Sequence, residues 1–134
     1  MTAYVADTHA VIWYLLDAPE LSIPAHAAFE VARATGDPIF VSSITLVEIT
    51  YLAEKGKLPA NVPGTVLNAL DDEQGALVLA PVDRSVVDTL SLIPRSVVPD
   101  MPDRIIAATA LAYGVPLLIT RDHQIRQSNL QTVW

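Results

Sequence analysis

A chain of 134 residues, 51% hydrophobic and 17% charged, is long enough to bury one core without disulfides or a structural metal, and its composition excludes disorder. With no cysteine it has no disulfide, thiolate zinc site or cysteine nucleophile, and a formal charge of −7 argues against non-specific adhesion to nucleic acid while leaving room for a basic protein partner. Its apolar stretches, such as Ile105–Leu111 interrupted by Thr109, fall short of the roughly 18 residues of a membrane span, and Asp7 and His9 break the amino terminus before a signal-peptide core develops, so a cytoplasmic protein is expected.

Ala3-Tyr4-Val5-Ala6 reads as a short strand halted by Asp7-Thr8-His9, and Ala10 to Leu16 has helical composition. Pro24 to Thr35 is a second helix, with Pro24 in its first turn and Gly36 just past its end. Ile39-Phe40-Val41 is a buried strand, and Ser42 or Ser43 can cap the helix that follows to about Lys55. Asn61 to Gln74 is helical, Ala76 to Leu79 is a third strand, and Asp83 to Leu92 is another helix. Pro94 to Pro102 is a proline-rich loop. Pro102 opens an almost wholly apolar helix that ends at Gly114, and Val115-Pro116 leads into the buried strand Leu117 to Ile119. Thr132-Val133-Trp134 adds a last edge strand.

There are no repeats, low-complexity tracts or linkers, so one domain over residues 1–134 is expected. Strands alternate with helices, and the strands are apolar runs rather than two-residue alternations. That pattern predicts an α/β fold, a mainly parallel sheet of four or five strands flanked by helices, which binds ligands at the strands' carboxyl ends.

Four acids fall on that edge. Asp7 and Asp122 each follow a strand, where each could also serve only as a helix N-cap. Asp103 is in the first turn of a helix, where the dipole favours a negative charge and Asp100 can be the cap. That helix must run antiparallel to the strand after it, which brings Asp103 to the rim occupied by Asp122. Glu48 interrupts Ile44-Thr45-Leu46-Val47-Glu48-Ile49-Thr50-Tyr51-Leu52, a helix otherwise fitted for burial. A lone buried carboxylate costs several kcal/mol or takes up a proton. The alternatives for Glu48 are a partly exposed face shared with Thr45 or a buried pair with an arginine. From about one turn into its helix, its long side chain can also reach back to the rim.

Four carboxylates on one edge with few bases nearby repel one another, which makes physical sense mainly as a metal site. All-oxygen ligation selects magnesium or manganese. Such cations commonly ionise a water and stabilise the leaving oxygen in phosphodiester hydrolysis. The sequence has neither a glycine-rich phosphate loop nor the GxSxG of a serine hydrolase.

Over essentially its whole length the chain resembles PIN-domain ribonucleases, most closely the VapC-type toxins of bacterial toxin–antitoxin pairs. The resemblance is carried by Asp7-Thr8-His9-Ala10 with Trp13 and Asp17-Ala18-Pro19-Glu20-Leu21-Ser22, by Ser42-Ser43-Ile44-Thr45-Leu46-Val47-Glu48-Ile49, by Pro102-Asp103-Arg104-Ile105-Ile106-Ala107-Ala108-Thr109-Ala110, and by Leu118-Ile119-Thr120-Arg121-Asp122. It implies that Asp7, Glu48, Asp103 and Asp122 are the catalytic, metal-binding acids for magnesium or manganese. It also implies an RNA substrate, inhibition of translation or growth, and a cognate VapB-like antitoxin.

Asp100 matches a further family aspartate, although Met101 and Pro102 depart from the usual neighbours, and it is placed behind the four ligands. Thr120 matches a common hydroxyl position and either orients Asp122 or a metal-bound water, or bonds local backbone. His9 reads as an exposed first-turn residue rather than an acid or base. Arg104 and Arg121 adjoin site acids and either contact substrate phosphates or hold the carboxylates by salt bridges. Trp13, Tyr14, Leu15 and Leu16 form either core or an interface with an antitoxin or a second copy, and a homodimer is expected. Two alternatives remain at this point. A receiver-like signalling module with an acidic magnesium site would want a lysine on a late strand, and the only lysines are Lys55 and Lys57. A PIN-like nuclease acting on DNA is distinguished from one acting on RNA by no identifiable residue.

Overall fold

The computed structural model describes residues 2–115, 117–127 and 130–134, so Pro116 of the expected helix-to-strand connection lies outside them. Among these, the strands are β1 (Tyr4–Ala6), β2 (Ile39–Ser42), β3 (Leu77–Ala80), β4 (Leu117–Ile119) and β5 (Gln131–Val133). They form one five-stranded sheet in the order β3-β2-β1-β4-β5, and each neighbouring pair is parallel. The helices are α1 (Thr8–Leu15), α2 (Ile23–Thr35), α3 (Ser43–Glu54), α4 (Val62–Asp71), α5 (Arg84–Leu90), α6 (Met101–Tyr113) and α7 (His123–Arg126). The expected α/β architecture is therefore present, entirely parallel, with the C-terminal strand closing one edge.

Short polar side chains set the helix starts. Asp7, Ser22, Ser42, Asp83, Asp100 and Asp122 each accept a backbone N–H from the first turn of the helix they precede. The cap on Asp7 is why α1 begins at Thr8 instead of Ala10. Ser42, not Ser43, caps α3, because the Ser43 hydroxyl accepts the Val82 N–H at 2.9 Å instead. α2 and α6 end where Gly36 and Gly114 take φ of 79° and 63°, left-handed values that a Cβ would strain. α4 and α5 stop short of the expected Gln74 and Leu92.

β1 lies at the centre and is buried on both faces, with Val5 in one core and Ala6 in the other. Ala6 joins Val11, Phe29, Ile39, Val41, Ile49 and Val66, whereas Val5 joins Val86, Ile106, Leu118 and Ile125. The buried Ala107, Ala108 and Ala110 let α6 lie close against the sheet. β3 is an edge strand, so its apolar run does not mean burial on both faces, and Val78 and Leu79 are exposed. No helix among the described residues is long and apolar enough to cross a membrane.

Because every strand runs the same way, the chain segments that follow β1, β2 and β4 emerge at one edge. These segments carry Asp7, the start of α3, and Thr120 to Asp122.

Candidate active site

Asp7 is anchored on both of its oxygens. Oδ1 accepts the Ala10 N–H at 2.8 Å and Oδ2 accepts the Thr120 hydroxyl. The side chain is buried, and burial raises its pKa against the lowering effect of those two donors. Thr120 in turn accepts the Asp122 N–H at 2.9 Å, while Asp122 Oδ1 accepts the Ile125 N–H at 2.9 Å. Thr120 thus orients Asp7 and the Asp122 backbone together, a wider role than either expected for it. Asp7 and Asp122 are helix caps and members of the acidic edge at once.

Glu48, in the second turn of α3, is half-buried and receives the Thr8 hydroxyl on Oε1. The Thr45 hydroxyl lies 3.0 Å from that of Thr8. With the Thr8 proton directed at Glu48, Thr45 is the donor to Thr8, giving a chain of two buried hydroxyls that ends on the carboxylate. Burial is the largest influence raising the Glu48 pKa, with the charges of Asp100 and Asp7 adding to it and Thr8 and His9 opposing it. Asp103 is pushed up to about 8, first by burial and then by the charges of Asp122, Asp100, Asp7 and Glu48.

Asp7, Glu48, Asp103 and Asp122 line one cavity of about 380 Å³ together with Asp100, His9, Trp13 and Arg121. Asp100 caps α6 by accepting the Asp103 N–H at 3.2 Å and lies at the exposed rim. None of these acids is in an ion pair, since the ion pairs among the described residues are Arg33–Glu30 and Arg84–Asp88. The carboxylates line the space without closing into a finished ligand set, and among the described residues no group of three acidic or histidine side chains is arranged to hold an ion as it stands. Even so, the donor chemistry fits a hard divalent cation. All the donors are oxygens, they crowd negative charge into a partly dry space, and burial and mutual repulsion that a cation relieves raise the pKa values of Asp7, Glu48 and Asp103. A larger hollow of about 650 Å³ between α2, α4 and β3 lacks such crowding, and its Glu30 is engaged by Arg33 at 3.8 Å and the Tyr14 hydroxyl at 2.8 Å.

The structure separates the two arginines. Arg104 is absent from the cavity lining and pairs with no carboxylate among the described residues, which corrects both readings of it. Its Nε donates to the Ile93 carbonyl at 2.8 Å and Nη2 to the Leu90 carbonyl at 3.1 Å, which ties α6 to the end of α5. Arg121 lines the cavity but forms no salt bridge with its acids; its guanidinium lies over the Trp13 ring, 4.5 Å from the centroid. His9 is exposed at the rim, as expected. Trp13 packs edge-on against Trp134 at 5.8 Å, and Tyr14 stacks on Phe29 at 4.2 Å, so this helix mostly serves the core and leaves Leu16 exposed.

Sequence reasoning missed Thr8 as the donor to Glu48. Thr45 shares a helix face with Glu48 and was within reach of that reasoning, but nothing local links Thr8 to a residue 40 positions away. Thr120→Val keeps the shape of the Thr120 side chain and removes its hydroxyl. A loss of about 1–3 kcal/mol in thermal unfolding is expected, because buried Asp7 and the Asp122 N–H each lose a partner. Manganese titration of the same variant should show weaker binding.

The family model described as "PIN domain" matches residues 4–129. The chain is 31% identical over 137 aligned positions to Ribonuclease VapC22 of Mycobacterium tuberculosis, covering 100% of both chains. Among solved structures it resembles VapBC2 from Rickettsia felis bound to a promoter DNA fragment, with a TM-score of 0.72, 18% identity and coverage of 98% of this chain and 97% of that one. It also resembles a toxin–antitoxin complex from Klebsiella pneumoniae, with a TM-score of 0.69, 21% identity and coverage of 98% and 96%. A family match across nearly the whole length, on a parallel sheet with acids gathered at its carboxyl edge, means that the chain belongs to the PIN domain family.

Proposed function

We propose that this chain is a single PIN nuclease domain over residues 1–134, a magnesium- or manganese-dependent endoribonuclease that serves as the toxin of a VapBC-type pair. The observation that carries the chemistry is that four carboxylates from four separate segments line one cavity and none of them forms an ion pair among the described residues. Asp7, Glu48, Asp103 and Asp122 would hold the cation. When bound, a divalent cation supplies an ionised water and charge stabilisation at the phosphate under attack. The chain's own part is orientation: Ala10 and Thr120 hold Asp7, Thr8 holds Glu48, and the start of α7 holds Asp122. Asp103, with its pKa lifted to about 8, gives up its proton as the site fills.

RNA as the substrate is supported by the full-length similarity to Ribonuclease VapC22, and a VapB-like antitoxin by the complexes in which the structural relatives were solved. An acidic cavity on an acidic chain suits a basic segment of such a partner. The receiver-like alternative lacks its lysine, because Lys55 and Lys57 lie exposed beyond the end of α3.

The test is cleavage of labelled RNA and of DNA of matched sequence in magnesium, in manganese and in chelator. RNA cut only with added metal, and DNA left intact, is the expected result. Preferential cutting of DNA would replace the substrate, and cutting in chelator would remove the metal from the mechanism.

A further inference from the structure

A bound cation would offset part of the charge of Asp7, Glu48, Asp103 and Asp122, but Asp100 also lines the cavity and the chain carries a net charge of −7, so a polyanion gains from a protein cation placed beside the site. The same wall carries one arginine, Arg121.

Its backbone is tied down on both sides. Thr120 is hydrogen-bonded to Asp7 and receives the Asp122 N–H, and Asp122 caps α7. Its guanidinium rests over the Trp13 ring, which is braced by Trp134 at 5.8 Å and His9 at 5.3 Å. A guanidinium packed on an aromatic face keeps its in-plane N–H donors available, and such a planar fork matches two phosphate oxygens at once. The ion pairs among the described residues lie elsewhere, so the cavity acids have not claimed those donors.

Resting on the ribonuclease reading above, we propose that Arg121, held over Trp13, grips a phosphate of the RNA strand beside the bond to be cut. Trp13 is then a positioning residue that aims the arginine and does not itself stack on a base, since its ring is already packed by Arg121, His9 and Trp134. The site needs arginine in particular, because a lysine ammonium would neither lie flat on the indole nor fork onto two oxygens.

The test is steady-state cleavage of a single-stranded fluorescent RNA in manganese by wild type, Arg121→Gln, Arg121→Lys, Trp13→Phe and Trp13→Leu. Manganese-dependent thermal unfolding is followed on the same proteins. Arg121→Gln is expected to raise KM about tenfold, to lower kcat less than about threefold, and to make the salt dependence of RNA binding shallower by about one phosphate contact. Arg121→Lys should recover only part of the loss. Trp13→Phe should stay near wild type and Trp13→Leu should follow Arg121→Gln, while the manganese response stays as in wild type throughout.

A wild-type KM and salt slope in Arg121→Gln would overturn the inference alone and leave the nuclease reading standing. So would a loss confined to kcat and the manganese response, which would make Arg121 a support of the acids, or a loss confined to antitoxin binding, which would give it to the protein partner. If the wild type neither binds nor cuts RNA, both readings fall together. Should Trp13→Leu fail to fold, Arg121→Gln and Trp13→Phe still decide the matter.

Discussion

RNA cleavage by Asp7→Asn and by Glu48→Gln is expected to fall ~10²–10³-fold each, with the fold intact, because each change removes several kcal/mol of cation-centred stabilisation. Gln retains an oxygen for the Thr8 hydroxyl, and Asn retains one for the Ala10 N–H at the start of α1. The Asn amide NH2 takes the place of Oδ2, so the bond to Thr120 reverses, with the threonine oxygen accepting from the amide as well as from the Asp122 N–H. What each loses is charge in a cavity whose acids repel one another, so the metal-free variants should be no less stable than wild type. Thermal unfolding supplies the second measurement. Manganese at 100 times its dissociation constant stabilises a native-state site by about 2.7 kcal/mol, and the double variant should show much less of that gain. Full activity in either variant would remove that acid from the site, and an unchanged manganese response in the double variant would move the metal elsewhere.

The second large effect concerns pH. In chelator, the protein is expected to lose stability as pH rises from about 4 to about 8, opposite to the usual behaviour of a salt-bridged acid. Asp103 has an ordinary pKa of 3.8 and a folded value of about 8. Between those values the folded state holds a proton that the unfolded state lacks, so the slope of stability with pH is negative. The penalty is absent below the unfolded value and complete above the folded one. Asp7 and Glu48, also raised, act with the same sign.

Asp103→Asn removes the Asp103 contribution without disturbing the Asp100 cap, which uses the residue 103 N–H. At pH 8 it should gain about 1–2 kcal/mol, discounted because the side chain is only partly buried, or about 3–8 °C in Tm. The difference between wild type and this variant across pH 4–9 isolates Asp103 from the surface acids. Saturating manganese should stabilise most at the alkaline end, where it no longer competes with protons. A difference between the two proteins that stays flat with pH would show that Asp103 is not held protonated in the native state.

The local grammar of this chain was legible before any coordinates. Apolar runs, cap residues and terminal glycines placed the strands and helices in order, and the α/β alternation predicted a parallel sheet with a working edge. Asp7 and Asp122 were open to reading as caps or as site acids, and they are caps that also line the acidic cavity, because in this topology the residue after a strand both starts a helix and lies at the carboxyl edge.

The tertiary structure decided the side-chain partners. Thr120 reaches Asp7 across 113 positions because β4 lies beside β1, and Thr8 reaches Glu48 across 40 because α3 starts beside α1. It also separated two arginines that look alike in sequence, turning Arg104 onto the carbonyls at the end of α5 and laying Arg121 on Trp13 over the acids. Backbone propensity and hydrophobic period are local properties that a sequence carries in order. A side chain's partner depends on which strands become neighbours and on which way each helix is rotated, and those are settled only when the whole core packs.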